Sequence, residues 1–313
     1  MISNAIILLI LFFSTGFADW GFYSHKKIHR TAVFTLPPEM IGFYKYHISY
    51  LTEKSVSPDM RRYIDPGEGP RHYIDLEFYG DSALHKIPKY YRDAVKIYTE
   101  DSLKAWGVVP WHVEKIRNYL TRAFVNQDAR QILRLSVDLG HYISDANVPL
   151  HTTKNYNGQL TDQYGIHGFW ESRLPELFSE EYYLFTGKAT YIPDTQARIW
   201  SAIKQANQAL DSVLRFEKEL TDMYDPSRKY SFEERNGRSV KVYSQSFSED
   251  YHRMLDGMVA RQMRKAIKMV GDFWYTCWVD GGQPDLEELL DVEIKDSEKL
   301  EKNRKNDALR EHG

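Results

Sequence analysis

The sequence predicts an all-α fold, a single-domain multi-helix bundle. Three observations predict it. Apolar residues recur at helical spacing along most of the chain, strand-like alternation is scarce, and no repeat or linker divides the sequence. The chain has 313 residues, 42% of them hydrophobic, which suffices for one large core.

Residues 1–19 read as an export signal. Ala5 to Phe13 is an unbroken apolar run, followed by small residues at Ser14, Thr15, Gly16 and Ala18. Such a run matches the hydrophobic region of a signal peptide and is too short to span a bilayer. Met1 to Asn4 lacks Lys and Arg, so an uncleaved membrane anchor is the alternative. The expectation is an exported protein, periplasmic or secreted, with no transmembrane segment in the mature chain. Ala18 fits the small-residue cleavage rule, whereas cleavage after Asp19 makes Trp20 the first mature residue.

Residues 20–290 are expected to form the domain. Ile28, Ala32, Val33 and Leu36 outline a first helix that stops at Pro37-Pro38, with His25 and His29 four apart on its first turns. Glu39 to Leu51 reads as a second helix. Residues 55–80 are irregular and rich in Pro, Gly, Asp and Arg. They hold His72 and the acidic candidates Asp59, Asp65, Glu68 and Asp75, and irregular stretches of this length usually carry function.

Lys89 to Trp106, Val113 to Asn126 and Asp128 to Asn147 read as helices. Tyr156 to Gln163 is a polar loop. Gly168 to Phe178 is helical, with Pro175 marking its end or a kink. Asp194 to Thr221 is a long amphipathic helix. Tyr224 to Ser248 is polar, with room for a short hairpin at Asn236-Gly237. Glu249 to Val279 reads as one long helix stopped by Gly281-Gly282-Gln283-Pro284. Residues 291–313 are charged and poor in apolar residues, a solvated helix or tail. Cys277 is the lone cysteine, so no internal disulfide can form; its neighbours Trp274, Tyr275 and Trp278 predict a buried thiol.

A net charge of −3 provides no global basic field for duplex nucleic acid. The chemistry concentrates between Leu139 and Glu171. His141 and Asp145 are four apart, as are His167 and Glu171, and His151 follows the helix breaker Pro149. Residues at i and i+4 share a helix face. Either pair alone is an ordinary helix-face pair. Together, interleaved with apolar Leu139, Tyr142, Ile143, Phe169 and Trp170, they place three imidazoles and two carboxylates where burial requires partners. Such nitrogen and oxygen donors suit zinc.

The segments "WGFYSH", "SPDM", "RHYID", "GHYISDANVPLH" and "HGFWE" lie between Trp20 and Glu171. In them the chain resembles the zinc-dependent phospholipases C and the related single-strand-specific zinc nucleases of fungi and plants. The resemblance implies an all-helical fold with a trinuclear zinc cleft. By it, Asp59, His72, His141 and Asp145 would hold one zinc ion, and His151, His167 and Glu171 a second. Asp145 would bridge to a third, also bound by His25 and by the amine and carbonyl of an N-terminal Trp20. Asp59 is preferred to Asp65 because its distance to His72 is closer to the family pattern. Asp59 and Asp145 would take part in catalysis, and His29 has no ligand role.

Two substrate classes remain open. The short interval from Trp20 to His25 is as in the nucleases, whereas Glu171 is as in the bacterial phospholipases. The expected activity is phosphodiester hydrolysis, phospholipase C-like, because zinc lowers the pKa of bound water to roughly 7 and makes hydroxide available for attack on phosphorus. The alternative is a single-strand nuclease or nucleotidase with the same zinc site, for which Tyr73, Tyr142 or Phe169 could stack on a base. A metal-binding protein without turnover is a third reading. A helical di-iron protein is a fourth, but it would use Glu-x-x-His pairs.

Overall fold

In the computed structural model, residues 22–80, 82–235 and 237–290 are described. The expected export segment, Trp20 and the tail 291–313 lie outside them. The described residues are mainly helical, with a single two-stranded sheet among them.

Helix α1 (Phe22–Val33) is followed by α2 (Pro38–Tyr46), α3 (Ile48–Lys54) and the short α4 (Ser57–Arg61). The second helix expected from sequence is thus two helices, broken at His47. Single 3-10 turns, Gly69–Arg71 and Leu76–Tyr79, flank the non-helical stretch that begins at His72. Next come α5 (Ala83–Lys86), α6 (Tyr91–Tyr98) and α7 (Glu100–Trp106). The helix expected over Lys89 to Trp106 breaks at Thr99, which has a φ of 64° and accepts the Ser102 N–H with its hydroxyl.

Helix α8 (Val109–Val125) leads to α9 (Ala129–Asp145), whose start is capped by the Asp128 carboxylate accepting from Gln131 N at 3.0 Å. A 3-10 turn, Pro149–Thr152, then carries His151. Helix α10 (Ile166–Gly168), a π turn (Phe169–Arg173) and α11 (Leu174–Phe178) follow in continuous succession. Asp194 caps the long α12 (Thr195–Met223) by accepting from Ala197 N at 2.8 Å.

The hairpin does form: β1 (Tyr230–Arg235) pairs antiparallel with β2 (Arg238–Tyr243), with Tyr230 opposite Tyr243. The last long helix expected from sequence is two, α13 (Gln245–Met254) and α14 (Met258–Asp280). Gly257, with a φ of 69°, makes the corner.

The buried apolar side chains form one continuous cluster, in which α1 packs against α3, α9 and α14. At its centre Tyr44 OH meets Ser136 Oγ at 2.9 Å, and Trp274 Nε1 donates to Ser136 O at 3.0 Å. Helix α9 is buried over nearly its whole length, so its last turns carry His141 and Asp145 into the interior. Cys277 is buried, and burial pushes its thiol up to about 12.

Candidate metal centre

Five segments meet at the end of α9: the start of α1 (His25), α4 (Asp59), the 3-10 turns at His72, the turn at His151, and the α10–π-turn segment (His167, Glu171). Local chemistry brings them together. Pro175 has no N–H to offer the carbonyl of Glu171, which instead accepts from Ser24 Oγ at 2.6 Å. That bond ties α1 to the π turn and sets His25 beside Glu171. His151 Nδ1 donates to His72 O at 2.7 Å, and Ile74 N donates back to His151 O at 2.9 Å. His141 Nδ1 donates to Ser55 O at 2.8 Å, fixing α9 against the approach to α4.

The side chains fall into groups whose donor atoms all lie within 4.8 Å of one another: Asp59, His72 and His141; His151, His167 and Glu171; and His25, His141 and Asp145. In the first, His72 Nδ1 lies 3.1 Å from His141 Nε2, and Asp59 Oδ1 lies 3.7 Å from each. Asp145 Oδ2 joins them at 2.9 Å from His72 Nδ1 and 3.2 Å from His141 Nε2. A tetrahedral ion with bonds of 2.0–2.1 Å separates its ligand atoms by roughly 3.3 Å, in the middle of these spacings.

In the second group, His151 Nε2 and His167 Nε2 are 2.9 Å apart, and Glu171 Oε2 lies 3.3 Å and 2.8 Å from them. Three protein donors leave a fourth position open. The remaining carboxylate oxygens both turn toward His25. Asp145 Oδ1 is 3.4 Å from His25 Nε2, and Glu171 Oε1 is 3.5 Å away. Asp145 therefore offers one oxygen to each of two groups, and so does Glu171. Sequence reasoning gave the bridging position to Asp145 alone.

The electrostatics call for positive charge. Burial disfavours a charged His25, but Asp145 and Glu171 outweigh it and hold the ring well above its ordinary value. Burial also opposes a charged His72 and His151. Asp145 still raises His72, and Asp145 with Glu171 raises His151 to about 9. Burial alone would lift the carboxyls, yet the surrounding imidazoles hold Asp145 and Glu171 well below their ordinary range.

The structure thus brings together the sequence candidates His25, Asp59, His72, His141, Asp145, His151, His167 and Glu171, and Trp20 lies outside the described residues. Asp65 stays apart, its carboxylate 3.2 Å from Arg71 Nη1. His29 is buried in none of these groups. Its ring nitrogens face the carbonyls of His25 and Val137, and burial lowers it to about 3.

Asp59 and His167 are the most exposed members, so the site opens on their side. Two groups at this opening were not picked out from sequence. Arg62 stands one helical turn past Asp59, its Nη1 4.0 Å from Asp59 Oδ1 and its side chain half exposed. Tyr156, half exposed, meets the His167 ring edge-on with centroids 5.9 Å apart. The i,i+3 spacing of Asp59 on α4 and Arg62 at its C-terminal cap was the available signal. No family model matches the chain, and comparison with curated proteins gives no significant match.

Proposed function

We propose that the protein is a metal-dependent phosphodiester hydrolase of the phospholipase C kind, with zinc as its metal and a trinuclear site. One observation carries the metal reading. His141 and His151 spend their outer N–H groups on backbone carbonyls, so their inner nitrogens face the inner nitrogens of His72 and His167, only 3.1 Å and 2.9 Å away. Buried nitrogens facing one another beside carboxylates need a proton or a cation between them. The donor set, imidazole and carboxylate without thiolate, fits zinc.

Bound zinc would supply hydroxide near neutral pH and offset charge on a phosphodiester. The chain's own groups have distinct parts in this reading. Asp145 and Glu171 each span two neighbouring donor groups, which holds adjacent positions at fixed separation. Asp59, partly exposed at the opening, is placed to accept a proton from an entering water. Arg62 faces the same opening and offers a planar donor fork to a phosphate oxygen. The sequence motifs support the phosphodiester class. The half-exposed Tyr156 favours the second reading, a single-strand nuclease, since a ring at the mouth can stack on a base.

The apolar run Ala5 to Phe13 supports export. No described helix is long and apolar enough to cross a membrane. The deciding experiment measures turnover of zinc-loaded protein on phosphatidylcholine, single-stranded DNA and an aryl phosphodiester side by side. Hydrolysis of phosphatidylcholine with little action on DNA is expected. The reverse order selects the nuclease reading. No turnover on any of the three, with metal bound, overturns the hydrolase assignment.

A further inference from the structure

The imidazoles of this centre differ in what holds their outer nitrogen. His141 and His151 use backbone carbonyls. His72 is turned the other way, with Nδ1 inward, and its buried Nε2 has no hydrogen-bond partner. The acceptor beside it is Glu68 Oε1, at 3.5 Å. Glu68 is fully buried, unusual for a glutamate in a segment of Pro, Gly and Arg. It receives hydrogen bonds from Tyr142 OH and Arg71, and Arg61 Nε at 3.3 Å. Arg61 in turn donates to Asp138 Oδ1 and Tyr142 OH, both at 3.0 Å. A carboxylate has been brought inside, charged and clamped, one helical turn from a candidate ligand.

We infer that Glu68 is a positioning residue of the metal centre, the carboxylate that receives the His72 Nε2–H and fixes that ring as a ligand. The inference rests on the metal reading above. His72 Nδ1 stands 2.9 Å from Asp145 Oδ2 and 3.1 Å from His141 Nε2, closer than the roughly 3.3 Å separation that a tetrahedral zinc imposes. An ion entering between them pushes the His72 ring outward, toward Glu68. Closing the 3.5 Å gap to hydrogen-bond range requires a shift of roughly half an ångström. A carboxylate behind an imidazole fixes its tautomer and raises its basicity toward the metal. The other two rings lack that increment, so Glu68 acts selectively on the group containing His72.

The test is competitive chelator titration of the full chain with zinc, for wild type, Glu68→Gln, His72→Ala and the double variant. Glu68→Gln is expected to weaken one ion by roughly 10–100-fold and leave the others unchanged. In the His72→Ala background it adds no further loss, because the group it acts through is gone. Glu68→Asp keeps a charge for Arg61 and Arg71 while withdrawing it from His72. It should therefore lose the same affinity with unaltered thermal stability, and with a shifted visible spectrum of the cobalt-loaded protein. Unchanged zinc affinity in folded Glu68→Gln or Glu68→Asp overturns the inference. An equal loss with and without His72 also overturns it, since that marks a purely structural role. A wild type that binds no divalent ion removes the metal reading and this inference together.

Discussion

The imidazole of His29 occupies the place where a side chain on residue 140 would begin: a Cβ added to Gly140 lies 2.5 Å from His29 Nε2. This contact sets how closely α1 approaches α9. One turn earlier on α1, His25 then stacks on His141, with centroids 4.0 Å apart and planes 17° apart. Gly140→Ala should push the helices apart and cost ~1–3 kcal/mol by overpacking. It should also lower metal content, read by denaturant melts and by metal analysis. His29→Ala relieves the crowding and leaves every candidate donor in place. It should lose stability yet keep its metal, and a metal loss as large as that of His25→Ala would place His29 among the ligands.

Asp145→Asn is expected to remove more metal than His167→Ala does. The aspartate presents Oδ2 to His72 and His141 and Oδ1 to His25. An amide keeps one acceptor oxygen and turns an NH₂ donor toward the other group. Activity on an aryl phosphodiester should fall with the metal, and wild-type turnover at full metal content would sink the bridging role.

Much of this arrangement is legible in the chain because its signals are local. The pairs His141/Asp145 and His167/Glu171 announce themselves by spacing, and Asn236-Gly237 marks the hairpin. Helix breaks were harder to see. Thr99 and His47 interrupt helices without proline or glycine at the break, so composition there reads as continuous. Gly257 was visible, but a single glycine inside an apolar periodic run is compatible with either one helix or two. The outer partners were out of reach. Ser55 O and His72 O are chosen by folding, from segments 86 and 79 residues away in sequence from the rings they hold. Glu68, four residues before His72, was one of several acids open to that part, and its burial against His72 is what distinguishes it from Asp75.

The polar loop between His151 and His167 is anchored from below. Gln163 Nε2 donates to Glu217 Oε2 at 2.6 Å, and Glu217 also pairs with the buried Lys229 at 2.8 Å. Lys229 Nζ lies over the rings of Tyr230, Tyr243 and Phe247. Glu217→Ala leaves that lysine buried without its charge partner, a change that typically costs roughly 3–5 kcal/mol. It also removes one of the two bonds that hold Gln163, leaving Nε2 with the Leu214 carbonyl at 2.7 Å. Urea denaturation should register the loss, and limited proteolysis should cut faster near the exposed Leu160. An unaltered cleavage rate would mean that the loop holds itself.

The metal-free protein should lose stability as pH rises from about 6.5 toward 9. His151 titrates near 9 in the fold, against an ordinary value of 6.5, because Asp145 and Glu171 outweigh the effect of burial. A base whose folded value is raised contributes stability that is complete below its unfolded value and disappears as pH passes its folded one. His25 and His72 are raised as well and act in the same sense. Asp145 and Glu171 act oppositely. Their depressed values give stability that is present above about 4.5 and lost on acidification. The chelated protein should therefore melt highest between these limits, in mildly acidic solution. Zinc replaces the protons, so the loaded protein should hold its melting temperature through the alkaline window, and its zinc affinity should rise with pH there as fewer protons are displaced. Thermal melts of chelated and zinc-loaded protein across that window read both trends. A chelated protein that grows more stable above the ordinary histidine value would contradict the charge balance assigned to His25, His72 and His151.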